Sequence, residues 1–201
     1  MQFNLPTPTS KGSMSLEEAI AQRRSIRNFT GEPVSPSQLS QILWATQGVT
    51  DTRSGDRAIP SAGATYPLEI FVVCGSNCVD GISNGIYHYN PESHSLTLHR
   101  QGDLRLELAR AALGQEFVYQ APVDIVIGAV YERTTMRYGA RGERYVHIEV
   151  GHAGQNLYLQ ATALGLATVA IGAFHDEQVG KVLQLDKRIE PIYIMPVGRP
   201  V

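Results

Sequence analysis

The stretch QRRSIRNF, residues 22–29, sets Arg23, Arg24 and Arg27 around Ser25. Guanidinium groups grip phosphate and carbonyl oxygens through a planar fork, and a serine hydroxyl adds a short donor. Three cations exceed what one helix end uses, because each contributes only about 0.3–1 kcal/mol there. The cluster is therefore a candidate anion site, with helix capping and solvated charge as the plain alternative. Three further stretches suit a ligand with one anionic end and a flat polar body. PSAGATYP at 60–67 offers Pro60, Ser61, Ala62 and Gly63, small residues whose backbone a planar ring can approach closely. AIGAF at 170–174 is read as a strand end followed by a Gly172–Ala173 turn able to present a bare N–H. VGRP at 197–200 puts Arg199 just past the last apolar run, where it can join Arg23 on a phosphate. The glycine-rich nucleotide loops G-x-G-x-x-G and G-x-x-x-x-G-K-[ST] do not occur, and neither do G-x-S-x-G and H-E-x-x-H.

Regular elements must hold these groups. SLEE at 15–18 spells a capping box, and Leu16, Ala19, Ile20 and Arg23 share a face, so a helix is expected from Leu16 to Arg24. SPSQ at 35–38 repeats the device with Pro36 at the first helical position, ahead of a Leu39, Ile42, Leu43 stripe. Residues 48–67 read as a long structureless loop of the kind that carries function. EIFVVC at 69–74 and VDIVIGAVY at 123–131 are continuous apolar runs, expected as buried central strands. GIYHY at 85–89 and SLTLH at 95–99 flank NPES as a hairpin. Helices are expected at 104–113 and, capped, at 176–185, and strands at 167–171 and 191–198. The strongest helix is 145–164, where Val146, Val150, Ala153, Leu157, Ala161 and Leu164 step by three and four. Gly151, Ala153, Gly154 and Ala163 leave it small-sided, open to close approach by another helix. Helices, adjacent strands and a hairpin in this order argue α+β rather than regular alternation.

The chain has 201 residues, 43% hydrophobic, enough for one core and short for two. The expected organisation is an arm over 1–14 and a single domain over 15–201. A net charge of −2 gives no reason to expect nucleic-acid or membrane binding. The apolar run from Tyr145 to Leu166 is broken by His147, Glu149, His152, Gln155, Asn156 and Gln160, so no membrane span is expected. MQFNLPTPTSKGSM has no basic start followed by an apolar stretch, and a cytoplasmic protein is expected. Cys74 and Cys78 read as a buried strand thiol followed by a turn thiol, with a redox pair as the alternative. His88, His94 and His99 surround the hairpin and read as surface groups. His147 and His152 lack the i, i+4 spacing that aligns two ligands, so no metal site is expected.

RRSIRNF, IPSAGATYPLEIFVV, RYVHIEVGHAGQNLYLQATALGLATVAIGAF and the terminal MPVGRP together resemble the FMN-dependent nitroreductase family. PSAGATYPLE, GIYHYNPESHSL and GHAGQNLYLQATALGL resemble in particular its branch that includes the azoline dehydrogenases of modified-peptide biosynthesis. The resemblance spans residues 15 to 200 and implies a mostly antiparallel sheet flanked by helices, in an intertwined homodimer with FMN at the interface. It implies that Arg23 and Arg199 hold the FMN phosphate, with Arg24 and Ser25 on the phosphate, ribityl or pyrimidine edge. Arg27 takes the place of a cation near flavin N1, where it stabilises the charge of the reduced ring. Pro60, Ser61, Ala62 and Gly63 would line the partner subunit's flavin, and the Gly172 N–H, beside Ala173, would face N5. Many family members carry a glutamate where this chain has Gly172. Tyr138 and Tyr145 are candidates near the variable region. The implied activity is ping-pong hydride transfer from NAD(P)H to a small acceptor such as a nitroaromatic or quinone. The alternatives are an FMN-dependent dehydrogenase or oxidase of peptide azolines, and a flavin-binding protein without turnover.

Overall fold

A computed structural model describes residues 2–201. Its centre is a seven-stranded sheet in the order β1 (Gln2–Asn4), β6 (Ser95–Gln101), β5 (Gly85–Asn90), β4 (Leu68–Cys74), β7 (Val123–Ala129), β9 (Glu190–Gly198), β8 (Ala167–Thr168). Every ladder in it is antiparallel. Successive strand residues point to opposite faces, and the central strands are apolar on both. Ile70 and Val72 of β4, Ile125 and Ile127 of β7, and Met195 of β9 join Leu39, Ile42 and Leu43 of α2 (Pro36–Gln47) and Val150, Ala153 and Leu157 of α6 (Arg141–Ala163). Phe71, Val73, Val126 and Ile194 pack on the other side against Leu108 of α3 (Arg105–Ala111) and Val179 and Leu183 of α7 (Asp176–Leu183). Helices on both faces explain why these strands read as unbroken apolar runs. The fold is α+β, a mostly antiparallel sheet flanked by helices.

Both capping boxes form. The Ser15 hydroxyl accepts from the Glu18 N–H at 3.1 Å, and the Ser15 N–H donates to the Glu18 carboxylate at 2.8 Å. Ser35 and Gln38 repeat this at 3.2 and 3.0 Å. The first helix, α1 (Leu16–Gln22), stops before the arginines rather than carrying them. Its shared face divides: Ala19 is buried, while Leu16 and Ile20 stay 60% and 55% exposed. Residues 48–67 are not structureless. They hold a small hairpin, β2 (Val49–Asp51) with β3 (Asp56–Arg57), and a 3₁₀ turn over Ala62–Ala64. Two short helices were not expected, α4 (Glu116–Gln120) and α5 (Glu132–Tyr138), because neither carries a periodic apolar stripe. The strand expected over 167–171 shortens to β8, with Ile171 making a lone bridge to Ile194. α7 has His175 at its N-cap position without a side-chain cap. Before α1 the chain runs extended, adds β1 to the sheet edge and docks where the Thr9 N–H donates to Gln41 Oε1 at 2.8 Å.

Cys74 ends β4 and Cys78 lies in the turn that follows; both are buried and free. The neighbouring Cys78 thiol, then burial, push the Cys74 thiol up. Beside them Asp124 of β7 is fully buried, with neither carboxyl oxygen hydrogen-bonded. Its register partner in β9 is Pro196, which has no N–H to offer. Burial lifts the Asp124 carboxyl well above the ordinary range, against the pull of Arg105. A carboxyl raised in the folded state contributes stability that is present below its unfolded pKa and lost as pH rises. Asp124→Asn should therefore flatten the fall in Tm above about pH 4, by the equivalent of about 1–3 kcal/mol at neutral pH. Identical Tm–pH curves for both proteins would assign the slope elsewhere.

Candidate active site

After α1 the chain turns extended at Arg23 and lays Ser25 beside Thr168 of β8, with the Ile26 N–H donating to the Thr168 carbonyl at 3.0 Å. One tyrosine on α6 secures this junction. The Tyr158 hydroxyl accepts the Ala170 N–H at 2.7 Å and shares a hydrogen with Ser25 Oγ at 2.8 Å. The Arg23 guanidinium lies 5.2 Å over the Tyr158 ring. Thus α6, the arginine segment and the AIGAF segment meet at one phenol. Thr168 is buried there with its hydroxyl unpartnered.

The four arginines are used differently. Arg24 reaches back to the Ala21 and Arg23 carbonyls at 2.9 and 2.7 Å, which is helix-end capping. Arg23 and Arg27 have no carboxylate partner among the described residues, and Arg27 lies 5.9 Å over the Phe117 ring. Arg199 follows β9 and pairs with Glu32 at 3.2 Å, while its carbonyl accepts the Thr30 N–H.

Gly172 and Ala173 are exposed. Gln115 holds the turn by donating to the Ala173 carbonyl at 3.0 Å. A Cβ on Gly172 would come 3.7 Å from the Tyr193 ring, and one on Gly154 would come 3.3 Å from the same ring. The small face of α6 at Gly154 thus admits Tyr193 of β9 rather than a second helix.

The 60–67 loop is held by side chains from α5. The Arg137 guanidinium donates to the Gly63 carbonyl at 3.0 Å, Arg133 donates to the Tyr66 carbonyl at 3.0 Å, and the Thr65 and Thr134 hydroxyls share a hydrogen at 2.8 Å. The Ser61 hydroxyl accepts the Tyr66 N–H at 2.9 Å. Gly63, Ala64 and Tyr66 all have positive φ, at 61°, 52° and 43°. For alanine and tyrosine that conformation is strained, and such strain persists where the surroundings over-determine the backbone. Tyr138 closes over Gly63 and packs edge-on against Tyr145 at 5.1 Å. Under the loop, Glu149 of α6 is only 2% exposed and its Oε1 has no partner. Burial pushes its carboxyl up to about 7, against the opposing effects of the Ser61 hydroxyl and the Arg57 charge.

The structure therefore joins Arg23, Ser25 and the segment leading to Gly172 through Tyr158, and places the Pro60–Gly63 loop elsewhere on α6. Glu149 and Tyr158 are nine residues apart, about 13 Å along the helix axis. Sequence reasoning missed Tyr158, Tyr193 and Glu149. Glu149 carried a legible signal, since it follows Val146 by three and falls on the stripe of an otherwise apolar helix. Tyr158 and Tyr193 carried none, because each acts on residues distant in sequence. The hairpin histidines are committed to separate partners: His88 to Glu69 at 2.5 Å, His94 to Ser40 at 2.7 Å, His99 to the Gln184 carbonyl at 3.0 Å. Among the described residues no helix is long and apolar enough to cross a membrane.

Known proteins resemble this chain in sequence and in fold. The family described as the nitroreductase family matches residues 20–199. A protein of Methanocaldococcus jannaschii named for the nitroreductases is 48% identical over 188 residues, covering 94% of this chain and 92% of its own. The microcin B17-processing protein of Escherichia coli is 30% identical over 157 residues, 74% of this chain and 56% of that protein, so the chain spans about half of that relative. A crystal structure from Ralstonia eutropha, also named for the nitroreductases, superposes with a TM-score of 0.87 at 30% identity, covering 100% of this chain and 90% of that one. In sequence and in fold, the chain belongs to the nitroreductase family.

Proposed function

We propose that this oxidoreductase-family chain is an FMN-dependent enzyme that passes hydride from NAD(P)H to a small acceptor such as a nitroaromatic or quinone. The observation that carries the reading is the Tyr158 junction, which brings the Arg23 guanidinium, without a carboxylate partner among the described residues, and the segment leading to the exposed Gly172 to one end of α6. The donor set fits the cofactor. Arg23 and Arg27 suit a phosphate and an electron-rich ring edge, Ser25 adds a hydroxyl, and Gly172 offers an N–H with no side chain in front of it. When bound, FMN supplies the hydride chemistry at N5. The chain's own residues bind and orient. Arg23, with Arg199 released from Glu32, holds the phosphate. Arg27 offsets negative charge on the ring. The Gly172 N–H would contact the edge of the bound ring, where FMN would supply the hydride chemistry. No general base is required, consistent with the absence of a nucleophile motif.

In this reading the Pro60–Gly63 loop serves the flavin of a second copy. Its distance from Tyr158 along α6 supports that division, and so do the exposed apolar side chains Leu16 and Ile20 on α1 and Ile148 on α6. The similarity to the microcin B17-processing protein favours one second reading, in which a peptide azoline donates the hydride and dioxygen reoxidises the flavin. An absorption spectrum followed by anaerobic mixing with NADPH and NADH separates the two. Bound flavin bleached rapidly by one nucleotide is the expected result. Flavin that is bound but not bleached moves the reading to azoline oxidation or a flavin carrier, and no flavin uptake refutes it.

A further inference from the structure

Beside β3 and the end of the 60–66 loop opens a cavity of about 420 Å³. Strand pairing explains it. β4 pairs with β7 along its whole length, and β5 pairs with β6 from Gly85 to Asn90. Between β4 and β5 the ladder stops at Phe71–His88. The two strands part there, and the cavity lies in the fork, bordered by Glu69 on one side and Asn90 on the other. The charged groups around it are of two kinds. Glu69 is committed: it accepts from His88 at 2.5 Å and from Arg133, which also donates to the Tyr66 carbonyl at 3.0 Å. Burial opposes the charge on Glu69, yet the His88 hydrogen bond and the Arg133 charge hold its carboxyl below the ordinary value. Arg57 is placed differently. Its side chain is 13% exposed and stacks 4.3 Å over the Tyr66 ring, while its carboxylate partner, Glu92 at 2.8 Å, is 67% exposed. Glu92 makes no other side-chain hydrogen bond among the described residues. An exposed pair of this kind contributes little, so the guanidinium is fixed and its anion is easily replaced. Tyr66 is held beneath Arg57 at a positive φ of 43°, with its N–H on Ser61 Oγ. Such strain persists where the surroundings over-determine the backbone. Gln47, at the end of α2, also borders the cavity. It is buried with both amide atoms unpaired, a costly state that a polar occupant relieves.

We propose that this cavity binds a small organic carboxylate, seated on the Arg57 guanidinium in place of Glu92. Glu92 is the chain's own stand-in, since its carboxylate already occupies that donor. The planar fork of an arginine matches the two oxygens of a carboxylate, and the cavity falls in the size range of small-molecule sites. Charge selects a single anion over a phosphate dianion. Once Glu92 leaves, Arg57 is the only cation of the cavity without an anion, because Arg133 and His88 both face Glu69. The Gln47 amide, with one donor and one acceptor group, suits a ligand that carries a second polar function. None of these residues belongs to the Tyr158 junction, so the site stands whether or not the chain holds a flavin.

Histidine-ring NMR spectra of the protein as purified, titrated with 4-fluorobenzoate, read the site locally, because His88 is the only histidine among the described residues that lines the cavity. Its signal, assigned with His88→Gln, should shift saturably. The uncharged 4-fluorobenzamide, alike in shape, should leave it in place. Glu92→Gln removes the competing anion and should tighten 4-fluorobenzoate binding about two- to fivefold. Arg57→Lys keeps the charge without the fork and should weaken it at least about tenfold. Unchanged or weaker affinity in E92Q overturns the proposal, as does an Arg57→Lys variant that binds like wild type. Equal shifts from the benzoate and the benzamide overturn it, and so does a response confined to other histidines or no response at all. Should Arg57→Lys fail to fold, E92Q still decides, since its side chain is exposed and supports nothing but Arg57.

Discussion

Arg23→Ala should weaken FMN binding by roughly 10–100-fold on the proposed reading, the loss of about 1.5–3 kcal/mol that a charge-assisted contact to phosphate contributes. The fold should survive, because Arg23 is the C-cap of a seven-residue helix and its guanidinium makes no ion pair among the described residues. Its contact with the Tyr158 ring is a stacking contact at 5.2 Å that a phosphate can reinforce without displacing. The neighbouring arginines grade the test. Arg199→Ala should cost less, since Arg199 must first leave Glu32. Arg24→Ala should change FMN affinity by less than about threefold, because its guanidinium is spent on the Ala21 and Arg23 carbonyls. Isothermal titration of the cofactor-free protein with FMN reads all three. Equal losses for Arg23 and Arg24 would mean that the cluster acts by net charge, as a solvated face, and would remove the phosphate assignment.

That grading marks the limit of what the sequence could say. RRSIR showed an excess of cations, and the excess is real, yet nothing local distinguished the arginine that caps from the arginines that remain free. The distinction depends on where α1 ends, and it ends at Gln22, before the cluster. The layers were legible for a different reason. EIFVVC and VDIVIGA are apolar at every position but Glu69 and Asp124, and only a strand covered on both faces uses such a run. Capping was legible because Ser15 and Glu18, or Ser35 and Gln38, answer each other within one turn. By contrast, α5 has the polar sequence ERTTMRY, and its purpose emerges only when Arg133, Thr134 and Arg137 are seen holding the 60–67 loop. The small residues of α6 read as a helix contact, and α2 does run along that helix, but a glycine records only that something comes close, and at Gly154 that is the Tyr193 ring.

The same reasoning singles out Tyr158 as the position whose loss should be felt in stability and in cofactor binding together. Its hydroxyl is the shared partner of the Ala170 N–H and Ser25 Oγ, on segments far apart in sequence. Tyr158→Phe keeps the ring and its contacts and removes that partner, leaving a half-buried N–H without an acceptor. The expected cost is about 1–3 kcal/mol, or a fall in Tm of roughly 3–10 °C for a chain of this size. FMN affinity should fall as well, because the arginine segment and the segment leading to Gly172 lose their common anchor while Arg23 keeps the ring beneath it. A double-mutant cycle with Ser25→Ala isolates the joint: a coupling of about 0.5–1.5 kcal/mol between the two is expected if one hydrogen bond links them. Additive effects would show that Tyr158 serves Ala170 alone. An unchanged Tm and unchanged FMN affinity in Tyr158→Phe would show that β8 and the Ser25–Thr168 bridge align the two segments without the phenol.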